Sequence, residues 1–112
     1  MSSKIDQLEE LARIDPEDES VWFLLGQECV KAKNFERAIE AFTKATSIRP
    51  QYTAAFKQLG DASRLAGKTD QAVAAYRQGI ETAAKTRDLQ TAKECAVFLK
   101  KLGADVPDIE NL

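Results

Sequence analysis

The chain has 112 residues, 44% apolar and 30% charged, with a net charge of −2 and no histidine. That length supports one domain with a core shared between neighbouring elements, and not a second domain. No run approaches the ~20 apolar residues of a membrane span, and the first residues lack a basic-then-apolar leader pattern, so a cytoplasmic location is expected.

Ser3–Ile14 is the first predicted helix, with Ile5, Leu8, Leu11 and Ala12 on its apolar face. Pro16 follows it, and Glu17, Asp18 and Glu19 suit the positive end of a second helix. In that helix Trp22, Leu25, Gly26 and Cys29 fall at i, i+3, i+4 and i+7, one buried face. Gly costs roughly 1 kcal/mol in a helix interior relative to Ala, so Gly26 is expected to admit a closely packed neighbour. The third helix supplies it, with Ala38, Phe42 and Ala45 as its stripe. Asn34 is expected to carry the turn between the two helices, as a residue that tolerates a left-handed backbone. Pro50 closes the third helix by restricting Arg49.

The same set then recurs after 34 positions. Phe56, Leu59, Gly60, Ala72, Tyr76 and Ala84 answer Trp22, Leu25, Gly26, Ala38, Phe42 and Pro50, and Gly67-Lys68 makes the second turn. Pro16 stands one period before Pro50, so the first helix reads as the second half of an incomplete repeat. A further helix is expected over residues 88–102. An unbroken period would bury Lys93 and Glu94. A slide of two places Ala92, Cys95, Ala96 and Leu99 inward instead, and implies a longer connection around Lys85–Asp88. The total is six helices with little room for strand.

This spacing resembles the tetratricopeptide repeat, W-x₂-L-G…A-x₃-F…P. The matched positions cover roughly Ser20–Ala84, and the flanking helices rest on periodicity alone. The resemblance implies an all-α, right-handed superhelix of antiparallel helix pairs. Its parts are a half-repeat helix at 3–14, repeats at 19–52 and 53–86, a capping helix at 88–102 and a flexible acidic tail at 103–112. It also implies a non-enzymatic module that binds a peptide or helix of a partner protein in a concave groove.

Carried over by position, the groove stripe is Phe23, Gln27 and Val30 on the second helix and Lys57, Asp61 and Arg64 on the fourth. Lys93 and Lys100 extend it on the sixth, with Val97 between them. Phe23 and Val30 make an apolar end and the lysines with Arg64 a cationic one, which suits an acidic peptide or a terminal carboxylate. Chaperone-binding members use a clamp of two Lys, two Asn and an Arg. Here Phe23, Gln27 and Gln58 occupy clamp positions, which speaks against that specialisation.

Charge is unevenly spread. Residues 1–20 carry seven acids against Lys4 and Arg13, and residues 31–101 carry fourteen bases against seven acids. One reading is ordinary solvated faces; the other is a basic middle that attracts an anionic partner. The acidic tail, with Ile109 or Leu112 as anchor, is a candidate occupant of the groove. Self-association into a homo-oligomer through the Leu89, Ala92, Ala96, Leu99 and Leu102 stripe is an alternative function.

Catalysis has little support. No histidine, phosphate loop, zinc-ligand spacing or nucleophile motif is present, and no cofactor is expected. Gly67-Lys68-Thr69 lacks the preceding Gly of a phosphate loop. Nucleic-acid binding is disfavoured by two repeats only and by a pI near 5.2. Cys29 and Cys95 are expected as buried free thiols, a whole repeat apart and too far to pair.

Overall fold

The computed structural model describes residues 3–109. Six helices follow in order: α1 Lys4–Ile14, α2 Glu19–Lys31, α3 Phe35–Ile48, α4 Thr53–Leu65, α5 Thr69–Thr86 and α6 Leu89–Lys101. No strand occurs among the described residues. Each helix packs on its chain neighbours, and α4 also touches α2 and α6. The solenoid is an all-α array of helix pairs measuring 48 × 27 × 18 Å.

Local chemistry sets the helix starts. Ser3 Oγ accepts from Asp6 N–H while the Asp6 carboxylate accepts from Ser3 N–H, a reciprocal cap on α1. Asp18, Asn34 and Asp88 cap α2, α3 and α6 through their side chains. Pro50 acts as expected: Arg49 is extended at φ −123°, ψ 92°.

The first turn departs from expectation. Its left-handed residue is Lys33, at φ 60°, while Asn34 lies at φ −91° and serves as the α3 cap. Gly67 and Gly103 hold the matching places after α4 and α6, both at φ +75°. Asn34 is needed one residue later, where its side-chain oxygen satisfies the Arg37 N–H, so the conformation with positive φ falls to a lysine.

The core is built on close approach. A Cβ at Gly26 would sit 2.6 Å from the Phe42 ring, and one at Gly60 would sit 2.5 Å from the Tyr76 ring. Both aromatic residues are wholly buried. Only a residue without Cβ lets those rings lie flat on the facing helix. Two apolar clusters result. One gathers Leu8, Leu25, Cys29, Ala38 and Phe42, and the other gathers Ala72, Tyr76, Ile80, Cys95 and Leu99.

The connection after α5 is short, not long. Where α3 stops at Ile48, α5 runs 18 residues to Thr86, and only Arg87 and Asp88 separate it from α6. Ala84 replaces the helix-stopping Pro50, and Glu81, Ala83 and Lys85 favour continuation. Arg87 ends the helix in the left-handed conformation at φ 61°.

The tail was expected to be flexible. Its described part has no regular secondary structure, and Ala104 and Ile109 pack against the second cluster. Pro107 and Asp108 lie beside Arg77, Ile80, Glu81 and Ala84 of α5. Glu110, Asn111 and Leu112 lie outside the described residues. Ala92 and Leu99 are buried and Ala96 and Leu102 pack inward on the same cluster, so of that stripe only Leu89 is strongly exposed.

Candidate functional site

The first helices of successive pairs, α2, α4 and α6, carry the candidate groove. On α2, Phe23 stacks on Tyr52 at 4.8 Å between centroids and meets Phe42 edge-on at 5.7 Å. The Arg49 guanidinium lies 4.7 Å from the centre of the Tyr52 ring. Phe23 and Val30 are half-buried and pack on the first cluster, and Gln27 is half-buried beside them. This end is aromatic, and Tyr52 from the α3–α4 connection is a member of it.

The α4 stripe is a bonded network rather than a row of free cations. Lys57 Nζ lies 2.8 Å from Asp61 and 3.7 Å from Glu94. Tyr76 donates its hydroxyl proton to Asp61 Oδ1 at 2.6 Å, and Arg64 Nε donates to the Tyr76 hydroxyl oxygen at 3.3 Å. Arg64 Nη2 is also 3.9 Å from Asp61. The Phe98 ring of α6 closes the group. It stacks on Tyr76 at 5.4 Å, with Arg64, Lys101 and Lys57 at 4.4, 5.4 and 5.8 Å from its centre.

Burial opposes the charge on Lys57, yet its bond to Asp61 and the nearby Glu94 outweigh that cost and raise its pKa. Burial, then the bond to the Asp61 carboxylate, pushes the Tyr76 hydroxyl far up, so it stays a donor. Asp61 therefore accepts from Tyr76 on one side and pairs with Lys57 on the other.

Of the eight expected residues, Lys57, Asp61 and Arg64 come together, and Phe23, Gln27 and Val30 line the helix before them. Lys93 and Lys100 do not join them. Both are exposed, as is Val97, and the α6 residues that meet α4 are Glu94 and Phe98. The inner stripe of α6 is Glu94, Phe98 and Lys101, one position on from the expected one. Its signal in the sequence is an aromatic at i+4 from an acid that can pair with Lys57.

The thiols offer no reactive group. Cys29 and Cys95 are free and wholly buried. Burial raises the pKa of both, that of Cys95 to about 12, and a thiol held protonated is a poor nucleophile.

The sequence matches known proteins on this same architecture. The family profile described as tetratricopeptide repeat matches residues 30–94, more than half the chain, and a second profile of that description matches residues 5–53. The TPR repeat-containing protein PA0015 of Pseudomonas aeruginosa is 37% identical over 98 residues, covering 88% of this chain and 93% of its own. Human Superkiller complex protein 3 is 28% identical over 104 residues, which span 89% of this chain but 6% of that protein. Among solved structures, protein BPP2914 of Bordetella parapertussis superposes with a TM-score of 0.76 at 27% identity, covering 92% of this chain and 90% of that one. MamA shares the fold at a TM-score of 0.75 and 21% identity, over 88% of this chain and 57% of that one. Tetratricopeptide repeats generally mediate protein–protein interaction and are typically non-catalytic. With its helix pairs, its Gly–aromatic contacts and these matches, the chain belongs to the tetratricopeptide repeat family.

Proposed function

We propose that this chain is a non-enzymatic interaction module that holds a peptide or helix of a partner protein along the α2–α4–α6 stripe. The observation that carries the reading is chemical continuity along the first helices of three successive pairs: a half-buried aromatic pair, Phe23 and Tyr52, at one end and a cationic group around Phe98 at the other. Aromatic residues with polar rims are favoured anchors at protein interfaces. Around Phe98, Lys57, Arg64 and Lys101 stand against Asp61 and Glu94, and the exposed Lys93 and Lys100 add to the positive excess on α6. A partner with an apolar residue near one end and acidic residues at the other fits that order. No helix among the described residues is long and apolar enough to cross a membrane.

Peptide display against the purified chain, beside an Arg64→Gln/Lys101→Gln variant, tests the reading. Neutral replacements keep Lys57 between its two carboxylates and so leave the network folded. Selection of acidic peptides that the variant loses supports the groove. Equal enrichment by both proteins contradicts its cationic end.

A second reading, a homo-oligomer, is favoured by α1, where Leu11 and Ile14 are 49% and 65% exposed. Patches of that kind mark contact surfaces when contiguous. Light scattering over a concentration series distinguishes the two, since a growing mass at micromolar protein supports self-association.

A further inference from the structure

The repeat leaves an unmatched helix at each end of the described array. α1 is a second helix without a first. Its Gln7, Leu11 and Ile14 stand one period before Ala41, Ala45 and Ile48 and two before Ala75, Gly79 and Thr82. Those later positions are all buried or half-buried, and Gly79 lies against both α4 and α6. In α1, which packs on α2, the same stripe is exposed. α6 is a first helix without a second. Its Ala96 answers Gly60, which meets Tyr76 of α5, but no helix follows α6 among the described residues. The flank of α6 turned away from α4 carries Leu89, Lys93 and Val97 at i, i+4 and i+8. All three are exposed with the tail in place on α5.

The two open faces are opposite in charge. Residues 4–18, α1 and its connection to α2, carry six acids against two bases. Residues 87–101, α6 and the connection before it, carry four bases against two acids. The pattern also supplies a register. Gly26 faces Phe42 and Gly60 faces Tyr76 across helices joined by short turns, which run antiparallel. The answering positions at the two ends are Ala96 and Leu8. With Ala96 level with Leu8, Ile14 comes within one residue of Leu89 and Glu10 within one of Lys93, while Glu17 comes level with Arg87. Lys4 comes level with Lys100, and Glu28 of its own chain lies 3.8 Å from it. The register set by the core thus matches an apolar residue to an apolar one and two acids to two bases.

We propose that a second copy of this chain covers both faces, α1 of one copy packing antiparallel on the open flank of α6 of the next. Two half-repeats then make one whole repeat. The proposal rests on the homo-oligomer reading above and is independent of the groove. Opposite charge favours α1 on α6 over α1 on α1, where acids would face acids. The contact joins unlike surfaces, so each added copy leaves an open end and assembly runs past the dimer.

Sedimentation velocity of the full chain over a concentration series tests this beside two variants. One is Leu11→Gln/Ile14→Gln at the α1 end, the other Leu89→Gln/Val97→Gln at the α6 end. All four side chains are exposed, so both variants keep the fold, which circular dichroism checks. The parent should grow past the dimer as concentration rises, and less so in high salt, which screens the acid–base contacts. Each variant alone should stay monomeric. Their equimolar mixture should form a dimer and stop there, because one keeps only the α6 end and the other only the α1 end. A parent that stays monomeric up to about 1 mM overturns the proposal together with the homo-oligomer reading. A parent that stops at a dimer, growth that either variant leaves unchanged, or a mixture that stays monomeric overturns the head-to-tail contact and leaves that reading standing.

Discussion

A methyl group at Gly26 would meet the Phe42 ring at 2.6 Å, and Phe42 is wholly buried with nowhere to turn. Gly26→Ala gains helix propensity but overpacks the core, and overpacking costs ~1–3 kcal/mol. The net expectation is a loss of up to about 2 kcal/mol in urea unfolding. Phe42→Leu relieves the clash, so the double variant should lose less than the sum of the two single ones. Additive losses would show that the glycine serves some other need. The glycine–aromatic pairing was readable in the sequence because both partners recur at the same spacing.

The buried protons make the stability of the chain depend on alkaline pH. Cys95 has an ordinary value of 9.0 and a folded value of about 12, and Cys29, Tyr76 and Lys57 are also raised. A folded pKa above the unfolded one gives stability that is complete below the unfolded value and is lost as pH rises through the folded one. Stability should therefore fall from about pH 9 towards about pH 12, and Cys95→Ala should flatten that fall. Urea unfolding at several alkaline pH values measures it. A flat profile in the parent chain would mean that the thiol is not shielded from water.

Among the elements, the turns show how far local sequence reaches. Gly67 and Gly103 announce left-handed turns after α4 and α6, yet Lys33 does the same work after α2 without the residue that favours it. A left-handed conformation costs a residue with a Cβ ~1–2 kcal/mol. Lys33→Gly should thus raise stability by about 1 kcal/mol, less the entropy that glycine adds to the unfolded chain; a decrease in urea midpoint would contradict this. Asn34 drew the turn assignment because Asn suits both a left-handed turn and a helix cap, and composition cannot separate two such uses one residue apart. The extra turn of α5 was likewise ambiguous. Two residues had to be absorbed before α6, and either a loop or more helix would serve. The absence of a proline at Ala84 was the clue that favoured helix.

The register of α6 explains why part of the site was missed. The slide of two residues correctly buries Ala92, Cys95 and Leu99. It does not decide which flank of that helix turns towards α4, because this is set by packing between helices distant in sequence. Glu94 and Phe98 face α4, and Lys93 and Lys100 face outward. The pairing of Lys57 and Arg64 with Asp61 was present in the sequence as helix neighbours three and four apart, but the tyrosine that joins them comes from another helix.

At the scale of the whole molecule, the tail closes the second cluster by resting Ala104 and Ile109 on it. Removing residues 104–112 should lower stability by about 1–2 kcal/mol through lost apolar burial and leave affinity for a groove peptide unchanged. A rise in affinity would instead place the tail over the groove. Across the whole array the stripe on α2, α4 and α6 runs from an aromatic end to a cationic one.

Which face receives a partner chain is most directly read from the amide NMR footprint of a display-selected peptide on the full protein. Binding along the groove predicts shifts that track Phe23, Lys57, Arg64 and Phe98 across three helices, with the acidic end of the peptide nearest Lys101. A footprint confined to α3 and α5, or one that leaves Phe23 and Phe98 unmoved, would contradict the groove as the working surface.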